Sequence, residues 1–86
     1  MILCWASNGW DDYLYWQKQD KKVLKRINTL IKDMMRNPYD GIGDPEPLKH
    51  NWSGYWSRKI NREHRVVYKY DEGDDTLYIA QCRYHY

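Results

Sequence analysis

Glu46, Arg65 and His85 supply a carboxylate, a guanidinium and an imidazole, and Lys49, Arg58, Lys59 and Arg83 add cations in the same half of the chain. These are the groups that metal-free RNA cleavage requires. A base must take the proton of a ribose 2′-hydroxyl, an acid must protonate the departing 5′-oxygen, and cations must surround the phosphorane. Glu46 is the candidate base, His85 the candidate acid, and Arg58, Lys59 and Arg65 the candidate cations. From Lys49 to Lys69 the chain holds six basic residues and one acid, Glu63. Interleaved with them are Trp52, Tyr55, Trp56, Tyr68 and Tyr70, whose flat rings can stack on nucleobases while the cations neutralise phosphates. The same pattern also describes an amphipathic hairpin with aromatics inside and charges in water, which for any single residue is the commoner arrangement.

The elements that must position these groups follow from spacing and composition. Ile2 to Trp5 is a short apolar run ended by Ser7-Asn8-Gly9, an opening strand followed by a turn or helix cap. Trp10 to Gln19 carries Trp10, Tyr13, Leu14 and Gln17 at helical spacing, with Asp11 and Asp12 expected in its first turn. Asp20 can cap a second helix, on which Val23, Ile27, Leu30, Ile31 and Met34 form one apolar stripe. Its Lys21, Lys22, Lys25, Arg26 and Lys32 read as the solvated side. Asn37-Pro38 closes that helix, and residues 39–47 read as a loop that Glu46 leaves between two prolines. Tyr55 to Ile60, Arg65 to Tyr70 and Thr76 to Arg83 read as strands with short connections, hence an antiparallel meander. The expectation is one α+β domain over residues 1–86: a strand, two helices, then the meander, with the helices on one face of the sheet. In a meander Arg65 opens a strand whose neighbour ends at Arg83, so the chain terminus is carried toward Arg65.

Composition narrows the function classes. The formal charge is +2, and residues 48–86 carry seven basic and five acidic groups against seven of each before them, which points to an anionic partner without wholesale DNA coating. Five Trp and nine Tyr with no Phe bring many polar ring tips, so some rings are expected at the surface. Cys4 and Cys82 lie far apart in apolar or aromatic runs and read as buried, reduced thiols. His50, His64 and His85 are scattered, and the Asp71–Asp75 turn lacks the register of a calcium loop, so no metal or other cofactor is expected. No stretch approaches membrane-spanning length and the N-terminal run is too short for a signal peptide, which leads to the expectation of a soluble cytoplasmic protein.

Five peptides, in this order, then carry a resemblance: WDDYLYWQ, INxLIKDxxRNP, PEPLKHNxSGxWSRKI, EHRxVY and the terminal CRYHY. Together they resemble the YoeB toxins of the RelE/ParE superfamily, over almost the full chain. The resemblance implies a RelE-like fold and the toxin of a bacterial type II toxin–antitoxin pair, an endoribonuclease that cuts messenger RNA in the ribosomal A site. It implies a YefM-like antitoxin as partner, besides the ribosome and mRNA, and it leaves open operator DNA reached through the antitoxin complex, and a homodimer. By motif, Glu46 corresponds to the general base, His85 to the general acid, Arg65 to the phosphate-binding arginine, and Tyr86 to the tyrosine that orders the site. Lys49, Arg58 and Lys59 match accessory positions that hold RNA or phosphate, and Arg83 joins them as a candidate. Two departures stand out. Lys59 stands where a second arginine is expected, replacing a planar fork by a point charge, and the Asp71–Asp75 turn is longer than usual, which is expected only to lengthen a hairpin.

Two rival readings use the same residues. A non-catalytic relative resembling the gyrase-poisoning ParE branch would act by binding a protein, and a plain RNA-binding module would explain the basic aromatic stretch. The joint presence of Glu46, Arg65 and His85 favours the enzyme, and the module gives no role to the CRYHY end.

Overall fold

Helix formation is clearest where capping and periodicity agree. In the structure, a computed structural model that describes residues 1–85, Asp20 Oδ1 accepts the backbone N–H groups of Lys22 (3.0 Å) and Val23 (3.2 Å). That cap, typically worth about 1 kcal/mol, starts α2, Lys21–Arg36. Ile27, Leu30, Ile31 and Met34 are buried on its inner face, with Val23 half-buried beside them. Helix α1, Ser7–Gln19, begins three residues before the expected Trp10, so Asp11 and Asp12 lie beyond its first turn. Gly9, which reads in sequence as part of a turn, is buried inside this helix. A Cβ there would sit 2.5 Å from the Ile79 carbonyl oxygen, so the glycine is what allows the helix to cross the sheet closely.

The strands are β1, Ile2–Trp5; β2, Glu46–Pro47; β3, Trp56–Lys59; β4, Arg65–Asp71; and β5, Thr76–Gln81. They form one mixed sheet in the order β1-β5-β4-β3-β2. Strands β3, β4 and β5 are the expected antiparallel meander, while β1 lies parallel to β5, pairing Ile2 with Thr76 and Trp5 with Ile79. The expected loop before residue 48 is corrected in one place: Glu46 and Pro47 pair with Ser57 and Trp56 as a short edge strand. An edge is where a residue without an N–H can join a sheet, because the missing donor would have faced outward.

Both helices cover one face. Trp16, Ile27, Leu30 and Met34 pack there with Val66, Tyr68, Leu77 and Ile79 as a single core. Strand alternation sends Ser57, Lys59, Arg65, Val67, Lys69 and Tyr78 to the opposite, helix-free face. Of the five rings read as base-stacking candidates, Trp56, Tyr68 and Tyr70 therefore turn toward the helices. Tyr68 is wholly buried, and its hydroxyl donates to the Pro38 carbonyl (2.7 Å). Trp52 and Tyr55 remain on the other side, in edge contact with each other and with Lys69 over the Tyr55 ring.

The turn between β4 and β5 does more than lengthen a hairpin. Asp71 accepts the N–H groups of Gly73 and Asp74, while Asp75 accepts the Tyr70 hydroxyl (2.7 Å) and pairs with the N-terminal ammonium (3.2 Å). The N–H of Ile2 also donates to the Asp75 carbonyl, so this turn anchors β1. Cys82 is buried and Cys4 half-buried, both as free thiols; burial, assisted by Asp12, pushes the Cys82 thiol up to about 12. Among the described residues no helix is long and apolar enough to cross a membrane.

Candidate active site

The register of the short edge strand places the carboxylate. Glu46 lies opposite Ser57, and two residues along β3, on the same face, Lys59 lies opposite Arg65. Direct cross-strand partners are about 4.5–5.5 Å apart and diagonal neighbours about 7–8 Å. On the helix-free face Lys59 is therefore the diagonal neighbour of Glu46 and the direct partner of Arg65, and it links the two. Glu46 also borders an open groove of about 600 Å³ whose lining includes Leu48, Lys49, His50 and Trp52. A second hollow, about 500 Å³, is lined by Lys59, Asn61, Arg62 and Arg65, and by Arg26 from α2. Arg26 thus leaves the purely solvated role its helix position suggests; one guanidinium nitrogen reaches the Lys59 carbonyl at 3.5 Å. Lys59 Nζ pairs with Asp44 at 3.1 Å between exposed side chains, an interaction that solvent keeps weak.

Helix α1 controls where the chain end starts. Asp12 and Trp16, four residues apart on one helical face, grip both backbone groups of Cys82. The carboxylate accepts its N–H (3.0 Å) and the indole donates to its carbonyl (2.8 Å). Desolvation raises the Asp12 pKa, opposed by that N–H bond and by the Arg83 charge. Beyond Cys82, Tyr84 adopts a left-handed φ of 65°, its carbonyl accepting the Arg65 N–H (3.1 Å) and its own N–H donating to His64 Nδ1 (2.7 Å). The exposed His85 follows directly, one residue from the atom bonded to Arg65. Arg65 itself turns Nη1 onto the carbonyls of Asn61 (2.7 Å) and His64 (3.1 Å), which fixes the guanidinium at the mouth of the 61–64 turn.

The expected site therefore gathers only in part. Glu46, Lys59, Arg65 and the segment bearing His85 converge at one end of the sheet, and Lys49 joins Glu46 in the groove. Tyr86 lies outside the described residues. Arg58 is corrected: expected on RNA, it is completely buried on the helix side, with every guanidinium N–H engaged. It donates to Asp33 (2.6 Å), Tyr68 Oη (3.1 Å) and the carbonyls of Asn37, Asp40 and Ile42 (2.7, 3.1 and 3.2 Å). Asp33 also accepts from Arg36 (2.6 Å) and the Ile42 N–H (2.9 Å), and these three donors, Arg36 foremost, hold its carboxyl well below the usual range. Arg83 is likewise packed against protein, its guanidinium carbon 3.5 Å from the Tyr15 ring centre and its Nη2 donating to Tyr84 Oη (2.7 Å). It braces the terminal segment. His64 is the neighbour that sequence reasoning missed, because its partner stands twenty residues away and no local spacing links them.

Comparison with known proteins gives one answer. The family described as the YoeB-like toxin of bacterial type II toxin-antitoxin systems matches residues 5–86. Toxin YoeB of Escherichia coli (strain K12) is 60% identical over 86 residues, spanning all of both chains. Among solved structures, a YoeB/ParE toxin from Agrobacterium tumefaciens superposes with a TM-score of 0.96 at 46% identity, covering all of both chains. A YoeB-YefM complex from Staphylococcus aureus superposes with a TM-score of 0.89 at 45% identity, covering all of this chain and 98% of that one.

Proposed function

The chain belongs to the YoeB-like toxins of bacterial type II toxin-antitoxin systems, and from that premise we propose that it is a ribosome-dependent mRNA endoribonuclease. The observation that carries this reading is that Glu46, Lys59 and Arg65 share the helix-free face while Tyr84, the residue before His85, is bonded through its carbonyl to the Arg65 N–H. Glu46 takes the proton of the 2′-hydroxyl as that oxygen attacks phosphorus. Arg65, already oriented by the 61–64 turn, and Lys59 balance the charge growing on the phosphorane, where fixed cations act without reorganising. His85 protonates the 5′-oxygen as the P–O bond breaks. The products are a 2′,3′-cyclic phosphate, or its opened 3′-phosphate, and a 5′-hydroxyl. Lys49 sits beside Glu46 in the groove, in reach of a neighbouring phosphate. Tyr86 orders the site by resemblance.

The partner is a YefM-like antitoxin, a reading supported by the Staphylococcus aureus complex. Its segment folds over the basic groove, and because Trp52 and Tyr55 add apolar contact, salt weakens that binding less than it weakens RNA binding. Primer extension on a translated message tests the enzyme reading. Cuts confined to A-site codons are the expected result; intact message with arrested growth would indicate a toxin that acts by binding protein.

A further inference from the structure

The terminal residues carry the proposed acid, yet the backbone that delivers them is held from outside. Tyr84 has a φ of 65°, which a side chain with a Cβ adopts only when its surroundings impose it. Both of its backbone groups are fixed: Arg65 N–H donates to the carbonyl and His64 Nδ1 accepts the N–H at 2.7 Å. The first of these is a ladder-type bond available to any residue at position 65. The second needs an acceptor with the reach and direction of His64.

His64 is itself immobilised. Its N–H donates to Asn61 Oδ1 (2.8 Å), its carbonyl accepts from Ile60, and its side chain is 12% exposed. The imidazole meets Trp16 edge to face with centroids 4.8 Å apart, and Trp16 is the residue that holds the Cys82 carbonyl. One core ring therefore fixes both the start of the terminal segment and the acceptor that bends it. Acceptance at Nδ1 leaves the neutral ring's proton on Nε2, on the side of Glu63, whose carboxylate oxygen lies 3.9 Å away.

We propose that His64 is a positioning residue of the proposed nuclease: through Nδ1 it holds the left-handed turn at Tyr84 that points His85 toward Glu46, Lys59 and Arg65. The catalytic consequence rests on the reading of His85 as general acid, whereas the clamp itself does not. An asparagine places Oδ1 near where Nδ1 stands and restores the acceptor; a leucine fills the volume without one.

The test uses the full chain on ribosomes programmed with a cleavable codon, varying ribosome concentration to separate kcat from KM. His64→Leu should lower kcat about 10²-fold, the scale expected when a reacting group is misplaced by about 1 Å, with KM unchanged, and His64→Asn should recover most of the loss. In parallel, nitrogen-15 spectra of the wild-type imidazoles should show one ring fixed as the Nε2–H tautomer, coupled to a downfield Tyr84 amide. His64→Leu cleaving at the wild-type rate would overturn the proposal, as would His64→Asn as slow as His64→Leu, or a His64 ring protonated on Nδ1. A wild type that cleaves nothing would remove the nuclease reading, and the clamp would then stand or fall on the imidazole spectrum.

Discussion

Arg58 and Arg65 occupy neighbouring rungs of one ladder, Arg58 facing Val66 and Arg65 facing Lys59, and their environments are opposite. Arg58 lies under the helices at 0% exposure with five hydrogen bonds to one carboxylate, one hydroxyl and three carbonyls. Arg65 faces the helix-free side, its Nη1 tied to the 61–64 turn and its side chain lining the second hollow with Lys59. One rung separates them, and because side chains alternate with a period of two residues, one rung reverses the face. Identical chemistry thus does structural work on one face and, in the proposed nuclease, meets a phosphate on the other, so positive charge in a sequence segment predicts neither use.

The comparison can be sharpened by experiment. Glu46→Gln and His85→Gln, at the exposed centre, should each lower cleavage by about 10²–10⁴-fold in the A-site assay, with little change in melting temperature. Cleavage within threefold of wild type for either would take that residue out of the mechanism. Arg58→Leu, at the buried centre, should do the converse, costing about 3–5 kcal/mol in denaturant unfolding because Asp33, Tyr68 and the 37–42 loop lose their shared donor. In a domain whose net stability is about 5–15 kcal/mol, that is a large fraction of the total. Arg65→Ala should lower cleavage by about 10²–10³-fold while unfolding at nearly the wild-type denaturant concentration, and a large stability loss would place it with Arg58 instead.

Acid sharpens the same contrast. Asp33 has a folded-state pKa below its unfolded value, so its contribution to stability is complete above about pH 4 and is lost as pH falls through the folded pKa. Unfolding measured from pH 5 downward should show stability decreasing on acidification. Asp33→Asn should begin less stable and lose less over the same range; an unchanged slope would exclude Asp33 as the group responsible. The smallest effect is expected at Lys59→Arg, which restores a planar fork on the exposed face and should raise cleavage by less than about tenfold without moving the unfolding midpoint.

Local patterns carried much of this protein. The α2 stripe, the Asp20 cap and the three meander strands are readable because period and capping are properties of a few adjacent residues. The terminal peptides and the PEP and EHR motifs identified the family for the same reason, since each is a short contiguous string. Three things needed the tertiary structure. The start of α1 was hidden because Gly9 is selected by the close Ile79 carbonyl and not by a turn. The edge strand at Glu46 was hidden because only pairing with Ser57 makes two proline-flanked residues extended partners of a sheet. The division of the cations was hidden because burial is decided by which face the helices cover. Asp33, Asn37 and the 40–42 loop must come from α2 and beyond before Arg58 has anything to bind, just as Cys82 must be gripped by Asp12 and Trp16, and Tyr84 by His64, before His85 has a place to stand.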